Sequence, residues 1–358
     1  MADTDIARFT ELLAKHLQAG KSNISYDDYV REKGESLYSS IGNRKIVYLD
    51  TNAWKCLSDF KRGKTNLTED MIDYSTEMFK EDTCKKFLFP LTMSTIFELQ
   101  SMDDPETIDT LSNILDKFSE SVCIIPDVDR IKSEIQIFLG GKELLPRKLY
   151  FVRPFELMNV PLPEFPAPIE ALKLIYKKAT YDLLAEKPVS VYLTDEMFTG
   201  DASDQWDNNA GIDAMNAGKA ANQEDIKSLQ HGLFIELAGV FDVQYLGQSK
   251  MPGMTPSKWL AIESMLHWKD NPLSSQLVTA RVMANIHSIL RYEKNRNFKK
   301  GDVADFSTAT TAIPVCDALF TDNRLMNIVN DVKVEISKFC NCKIIGFSEF
   351  GKYLRENR

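Results

Sequence analysis

At 358 residues, 44% of them hydrophobic and 27% charged, the chain is long enough to bury a sizeable core and to hold two domains. Its net charge of −9 excludes wholesale electrostatic attraction to nucleic acid or an anionic membrane, so such a partner would need local basic patches and bound cations. No apolar leader follows the acidic start Met1-Ala2-Asp3-Thr4-Asp5, and no run reaches the roughly eighteen apolar residues of a membrane span, so no membrane partner and a cytoplasmic location are expected.

Taken in order, Ile6, Phe9, Leu12, Leu13 and Leu17 fall at helical spacing and predict a helix over 5–19. A second helix is expected over 26–38, and both would pack on a sheet or on a partner. Lys45-Ile46-Val47-Tyr48-Leu49 has buried-strand character and runs straight into Asp50, Thr51 and Asn52. In a parallel α/β sheet ligands bind at the carboxyl ends of strands, so an Asp placed there points its oxygens into the crevice. A helix bearing Trp54, Cys56, Leu57 and Phe60 follows, then a small basic cluster of Lys61, Arg62 and Lys64. Helix 69–80 leads to a second strand, Phe87 to Leu91. Thr95 and Glu98 have the spacing of a capping box. In a sharper reading Glu98 sits on the first turn of a helix leaving that strand, at the same edge as Asp50. Helix 105–119 and a third strand, 122–126, continue the rhythm of a parallel sheet with right-handed crossovers.

From about 145 that rhythm stops. Six prolines between Pro146 and Pro168 read as an extended linker, followed by helix 169–186. The polar stretch from Gly200 to Asp225 reads as a mobile loop, and helices are expected near 226–240, 256–267 and 273–293. The division that follows is an N-terminal helical extension (1–44), a discontinuous α/β domain (45–145 and 272–358) and a mostly helical insertion (146–271). The sheet resumes with strands at 317–321 and 342–347, and a helix from Ser348 closes the chain.

The segment from Gly301 to Asn323 reads as a short helix capped by Asp302 or Asp305, then a strand ending in Thr321-Asp322. Asp322 therefore ends a strand as Asp50 does. If both strands are central and parallel, their side chains share one crevice, which Glu98 and Asp305 enter from helix starts. Carboxylates gathered a few ångströms apart raise one another's pKa unless a cation neutralises them. Hard oxygen ligands suit Mg²⁺ or Mn²⁺, which keep waters and bind substrate phosphates. Acids alone thus point to metal-dependent phosphodiester hydrolysis.

Leu49-Asp50-Thr51-Asn52 with Trp54 and Leu57 after it, Ser94-Thr95-Ile96-Phe97-Glu98-Leu99, and Asp305 followed by Thr321-Asp322 resemble a PIN domain. The resemblance covers about 45–145 and 295–358. It implies a three-layer α/β/α fold with a mostly parallel sheet and Mg²⁺- or Mn²⁺-dependent ribonuclease activity. Asp50, Glu98, Asp305 and Asp322 would be the four metal-binding, catalytic acids. Thr51 and Asn52 match the small polar residues after the first acid, and would face the substrate. Ordinary members are far shorter, with little between the second and third acids, which leaves Asp302 and Asp317 as alternatives for the third.

Arg291, Lys294, Arg296, Lys299 and Lys300 form a basic run just before the third acid, suited to holding a phosphate backbone or to a solvated helix end. Trp54 and Phe97 are expected in the core rather than stacked on bases, and His287 as a buried, hydrogen-bonded ring. The cysteines at 56, 84, 123, 316, 340 and 342 are expected as reduced thiols, with no zinc spacing among them. Gly211 to Gly218-Lys219-Ala220 matches a phosphate-binding loop only loosely. The expected activity is therefore an endonuclease on RNA rather than DNA. The rivals are a PIN-like scaffold that has lost activity and a structure-specific DNA nuclease. The insertion would select substrate, bind a protein partner or mediate self-association.

Overall fold

The computed structural model describes residues 3–18, 24–102, 104–140, 150–163, 169–194, 211–331, 333 and 336–358. Helices α1 (Asp3–Gln18) and α2 (Tyr26–Ile41) precede strand β1 (Lys45–Leu49). Then come α3 (Thr51–Lys61), α4 (Glu69–Met78), the single turn α5 (Thr83–Lys86), β2 (Phe87–Leu88), α6 (Met93–Gln100), α7 (Pro105–Ser119) and β3 (Cys123–Ile124). The middle of the chain holds α8 (Asp127–Gly140), β4 (Phe151–Val152), α9 (Pro154–Leu157), α10 (Glu170–Ala185), α11 (Val189–Thr194), α12 (Ile212–Asn222), α13 (Leu229–Gln244), α14 (Pro256–Asp270) and α15 (Val278–Tyr292). Last are α16 (Asp302–Ala312), β5 (Ala318–Thr321), α17 (Asn323–Val329), β6 (Lys343–Gly346) and α18 (Phe350–Glu356). The protein is a mostly helical α/β structure around a small, wholly parallel sheet of order β2-β1-β5-β6.

The alternation of side chains along β1 explains why the sheet is covered on both faces. Ile46 and Tyr48 join a core with Leu319, Ile286, Ile289, Phe306 and Ala309, beneath α15 and α16. Val47 and Leu49 face the other way, into a core with Trp54, Leu57, Tyr74, Leu115 and Leu354 from α3, α4, α7 and α18. Trp54 is thus a core residue, as expected. The six cysteines are all free thiols. No described helix is long and apolar enough to cross a membrane.

The third strand departs from expectation. It was expected to extend the parallel sheet, but β3 pairs antiparallel with β4, Cys123 opposite Val152. Its tie to the main sheet is a parallel bridge, with the Leu91 N–H donating to the Val122 carbonyl at 3.0 Å and the Ile124 N–H to the Leu91 carbonyl at 2.8 Å. Pro90 and Pro126 offer no N–H, which cuts both runs short. The expected linker holds β4 and α9 in its described part, 150–163; residues 146–149 and 164–168 lie outside the described residues. Likewise 200–210 of the expected mobile loop lie outside them, whereas 212–222 form a helix. Its Lys219 is buried, and donates to the Glu293 carbonyl at 2.6 Å and to that of Arg296. That lysine fastens a loop and leaves the phosphate-loop likeness without support.

Helix α8 was not foreseen. Ile131 and Ile135 pack with Leu237, Phe241, Trp259 and Leu260 in a third core. One turn away, the fully buried Glu134 carboxylate accepts the Thr279 hydroxyl at 2.6 Å and the Thr279 N–H at 3.0 Å. It thereby caps α15, whose own N-cap Leu277 has no side-chain cap. Burial pushes its carboxyl up from 4.5 to about 7 against those hydrogen bonds. Because the folded value is the higher one, this group's contribution to stability is complete below pH 4.5 and lost as pH rises through about 7. Glu134→Gln is expected to flatten that part of the profile. Thermal unfolding of variant and wild type across pH 4–8 reads the difference, and parallel curves would refute it.

Helix α1 packs on α10, where Leu12 meets Ala179 and Leu183. Asp182, on α10, gathers the His16 ring at 3.0 Å, the Tyr29 hydroxyl at 2.7 Å and Lys33 at 2.6 Å. The first two helices are thereby bound to the middle of the chain.

Candidate active site

Asp50 is the N-cap of α3, its Oδ1 accepting the Ala53 N–H at 2.9 Å. Asp322 is the N-cap of α17 and accepts the Leu325 N–H at 2.8 Å. β1 and β5 are adjacent and parallel, with Leu49 opposite Phe320, so both caps emerge at one carboxyl edge. The Asp50 N–H continues the ladder to the Phe320 carbonyl at 3.0 Å. Each Asp thus has a structural duty at the start of its helix.

Asp305 lies one turn inside α16, whose N-cap is Gly301 at φ 89°. That left-handed backbone favours glycine, and neither Asp302 nor Asp305 caps the helix as anticipated. Burial pushes the Asp305 carboxyl up to about 7, and the charges of Asp322, Asp50, Glu98 and Asp302 add to the rise. Asp50 is pushed up to about 6, first by burial and further by Asp322, against hydrogen bonds from Ala53, Thr321 and Asp322. Glu98 accepts the Thr51 hydroxyl in a short hydrogen bond. It stands in the second turn of α6 rather than the first. The N-cap there is Thr92, not Thr95, whose hydroxyl instead meets that of Tyr48. The fold thus brings Asp50, Glu98, Asp305 and Asp322 into one mutual electrostatic field, with Thr51 beside them. Among the described residues, no group of three or more His, Cys, Asp or Glu side chains stands as a preformed metal shell.

Asp317 opens β5 at the opposite edge of the sheet, and its Oδ2 accepts the Ile46 N–H at 2.7 Å. Asp302 is fully buried, accepts the Lys299 N–H at 2.7 Å and pairs with Arg324 at 2.5 Å. Asp317 thus stands away from the other acids, whereas Asp302 is engaged by Arg324 and its charge also acts on Asp305. In the basic run, Arg291 is paired with Glu236 and Arg296 with Glu293, while Lys294, Lys299 and Lys300 are exposed, as is Asn52. His287, expected as a buried, hydrogen-bonded ring, is half-buried and packs against the Phe298 and Phe306 rings, and burial lowers its pKa.

Two features escaped the sequence. Arg324, two residues after Asp322, is a cation at this edge, and its adjacency in the sequence was a usable signal. The second is a network of hydroxyls beside the acids: Tyr48 with Thr92 at 3.0 Å, Thr92 with Ser94 at 2.9 Å, and Ser94 with Thr308 at 3.2 Å. Its members come from three separate elements, and nothing local announces them. No protein-family model, curated protein or solved structure matches this chain.

Proposed function

We propose that the chain is a metal-dependent endoribonuclease built on a PIN-like, three-layer α/β/α scaffold. The observation that carries the proposal is the delivery of Asp50 and Asp322 to one edge by adjacent parallel strands, with Asp305 and Glu98 in the same field. The donors are hard oxygens, and burial together with neighbouring acids raises the carboxyls of Asp305 and Asp50, a rise that a bound cation would reverse. Both properties suit Mg²⁺ or Mn²⁺ held by Asp50, Glu98, Asp305 and Asp322. An ion bound there would polarise a phosphodiester and make a water nucleophilic near neutral pH. Thr51 fixes the rotamer of Glu98, and the exposed Lys294, Lys299 and Lys300 offer charges to the phosphate backbone.

A second reading, an inactive scaffold, is supported by the helix-capping duties of Asp50 and Asp322, which account for both acids without a metal. Calorimetric titration of the full chain with Mn²⁺ separates the two. Binding that Asp305→Asn weakens at least about tenfold is expected, since a ligand and a charge are both lost. Wild-type protein that takes up no Mn²⁺ would leave the scaffold standing. Cleavage of labelled single-stranded RNA but not of branched DNA is expected, and the reverse preference would redirect the proposal to DNA.

A further inference from the structure

A pocket beside the carboxylates has the size and lining for one planar ring. It lies between α6, the turn into α8 and α16, encloses 150 Å³, and is walled by Phe97, Pro126 and Met93. Its floor includes Ser94 and Asp127, both buried, and Ser307 stands half-buried beside it. A cavity of this volume accommodates a single six-membered ring. Mostly apolar walls with a few placed polar groups are the usual composition of a small-ligand site.

The pocket adjoins the acids. Ser94 precedes Glu98 by four residues on α6, and Thr308 follows Asp305 by three on α16, so each pair lies on one helix face. The Ser94 and Thr308 hydroxyls meet at 3.2 Å, one turn along from the carboxylates. A helical turn is about 5.4 Å, a distance that the base attached to a bound phosphate can span.

Asp127 is the acid among the lining residues. It is 8% exposed, and its Oδ1 accepts the N–H of the next residue, Val128, at 2.9 Å. A carboxylate has about four acceptor sites, so that bond leaves capacity toward the cavity. An ionised carboxylate accepts the N4 amino group of cytosine, whereas uracil presents an oxygen there. A purine would bring a second ring into a one-ring space. We propose that this pocket binds a cytosine of the substrate next to the cleaved phosphodiester, with Asp127 accepting from N4 between the Phe97 and Pro126 walls. This specificity rests on the ribonuclease reading, but the pocket itself can be tested without it.

Two measurements on the full chain decide the matter. With EDTA present, NMR titration with cytidine 5′-monophosphate and uridine 5′-monophosphate reads the pocket alone. The expected result is cytidine bound about tenfold tighter than uridine, with the difference lost in Asp127→Asn. Ser307→Leu, at a half-buried rim position, should block binding of both, and serves should Asp127→Asn misfold. Cleavage of a randomised single-stranded RNA then reads selectivity, with cytosine expected at one position flanking the cut. Asp127→Asn should move that preference toward uracil. RNA cut without base preference, by a protein that binds neither nucleotide, would overturn the pocket and leave the nuclease intact. Asp127-dependent cytidine binding by a protein that cuts no RNA would uphold the pocket and overturn the nuclease.

Discussion

Asp50→Asn is expected to lower Mg²⁺-dependent RNA cleavage by roughly 10³ or more, about 4 kcal/mol of barrier. Asn offers a neutral oxygen where the site needs a formal negative charge to hold a divalent ion. The same change should raise the melting temperature of the metal-free protein. Asn caps a helix as well as Asp does, so the bond to the Ala53 N–H can persist. One like charge leaves a field in which burial and Asp322 already push Asp50 up to about 6. A labelled-RNA assay and a thermal melt in EDTA check both halves. Full cleavage by the variant, still requiring metal, would remove Asp50 from the site. A lower melting temperature would show that its structural duty outweighs the repulsion.

Arg130→Met is expected to cost roughly 3–5 kcal/mol of stability, the usual penalty for removing one member of a buried charged set. Arg130 is fully buried on α8, and its guanidinium donates to the carbonyls of Thr311 and Thr310, each at 2.8 Å. These carbonyls lie in the last turn of α16, the helix that carries Asp305. Met fills similar space but leaves both carbonyls unpaired and Glu134 without a neighbouring positive charge. Urea unfolding monitored by circular dichroism reads the loss. RNA cleavage should fail at lower urea than the circular dichroism signal, because α16 loses its fastening first. A midpoint unchanged from wild type would show that water satisfies the carbonyls instead.

Local signals made much of this fold legible. The apolar run before Asp50 predicted β1, and the helix expected over 105–119 is α7. An acid at a strand-to-helix junction is visible in one dimension, so Asp50 and Asp322 could be set at strand ends. That their strands are neighbours depends on pairing between distant segments and was open until the register was seen. The partners of charged side chains were illegible for the same reason. Asp302 meets Arg324 from the next helix, and Arg291 meets Glu236 from another, so with Arg296 paired to Glu293 a run that looks basic in sequence is partly neutralised in space. The pairing of β3 with β4 was hidden by a two-residue ladder, too short to carry an alternating pattern. At Thr92 and Thr95 either residue offered a capping hydroxyl. The Tyr48 hydroxyl, from the strand beneath, engages both.

The pairing of β1 with β5 constrains when the molecule can mature. Ile46 and Asp317, joined by a hydrogen bond at the foot of that pair, are 271 positions apart. At ordinary elongation rates the ribosome needs roughly 15–55 s to travel between them. Throughout that interval β1 has an unfilled side, and Asp50 has no Asp322 beside it. Nascent or prematurely terminated chains that stop short of Asp322 would therefore lack half the acidic edge.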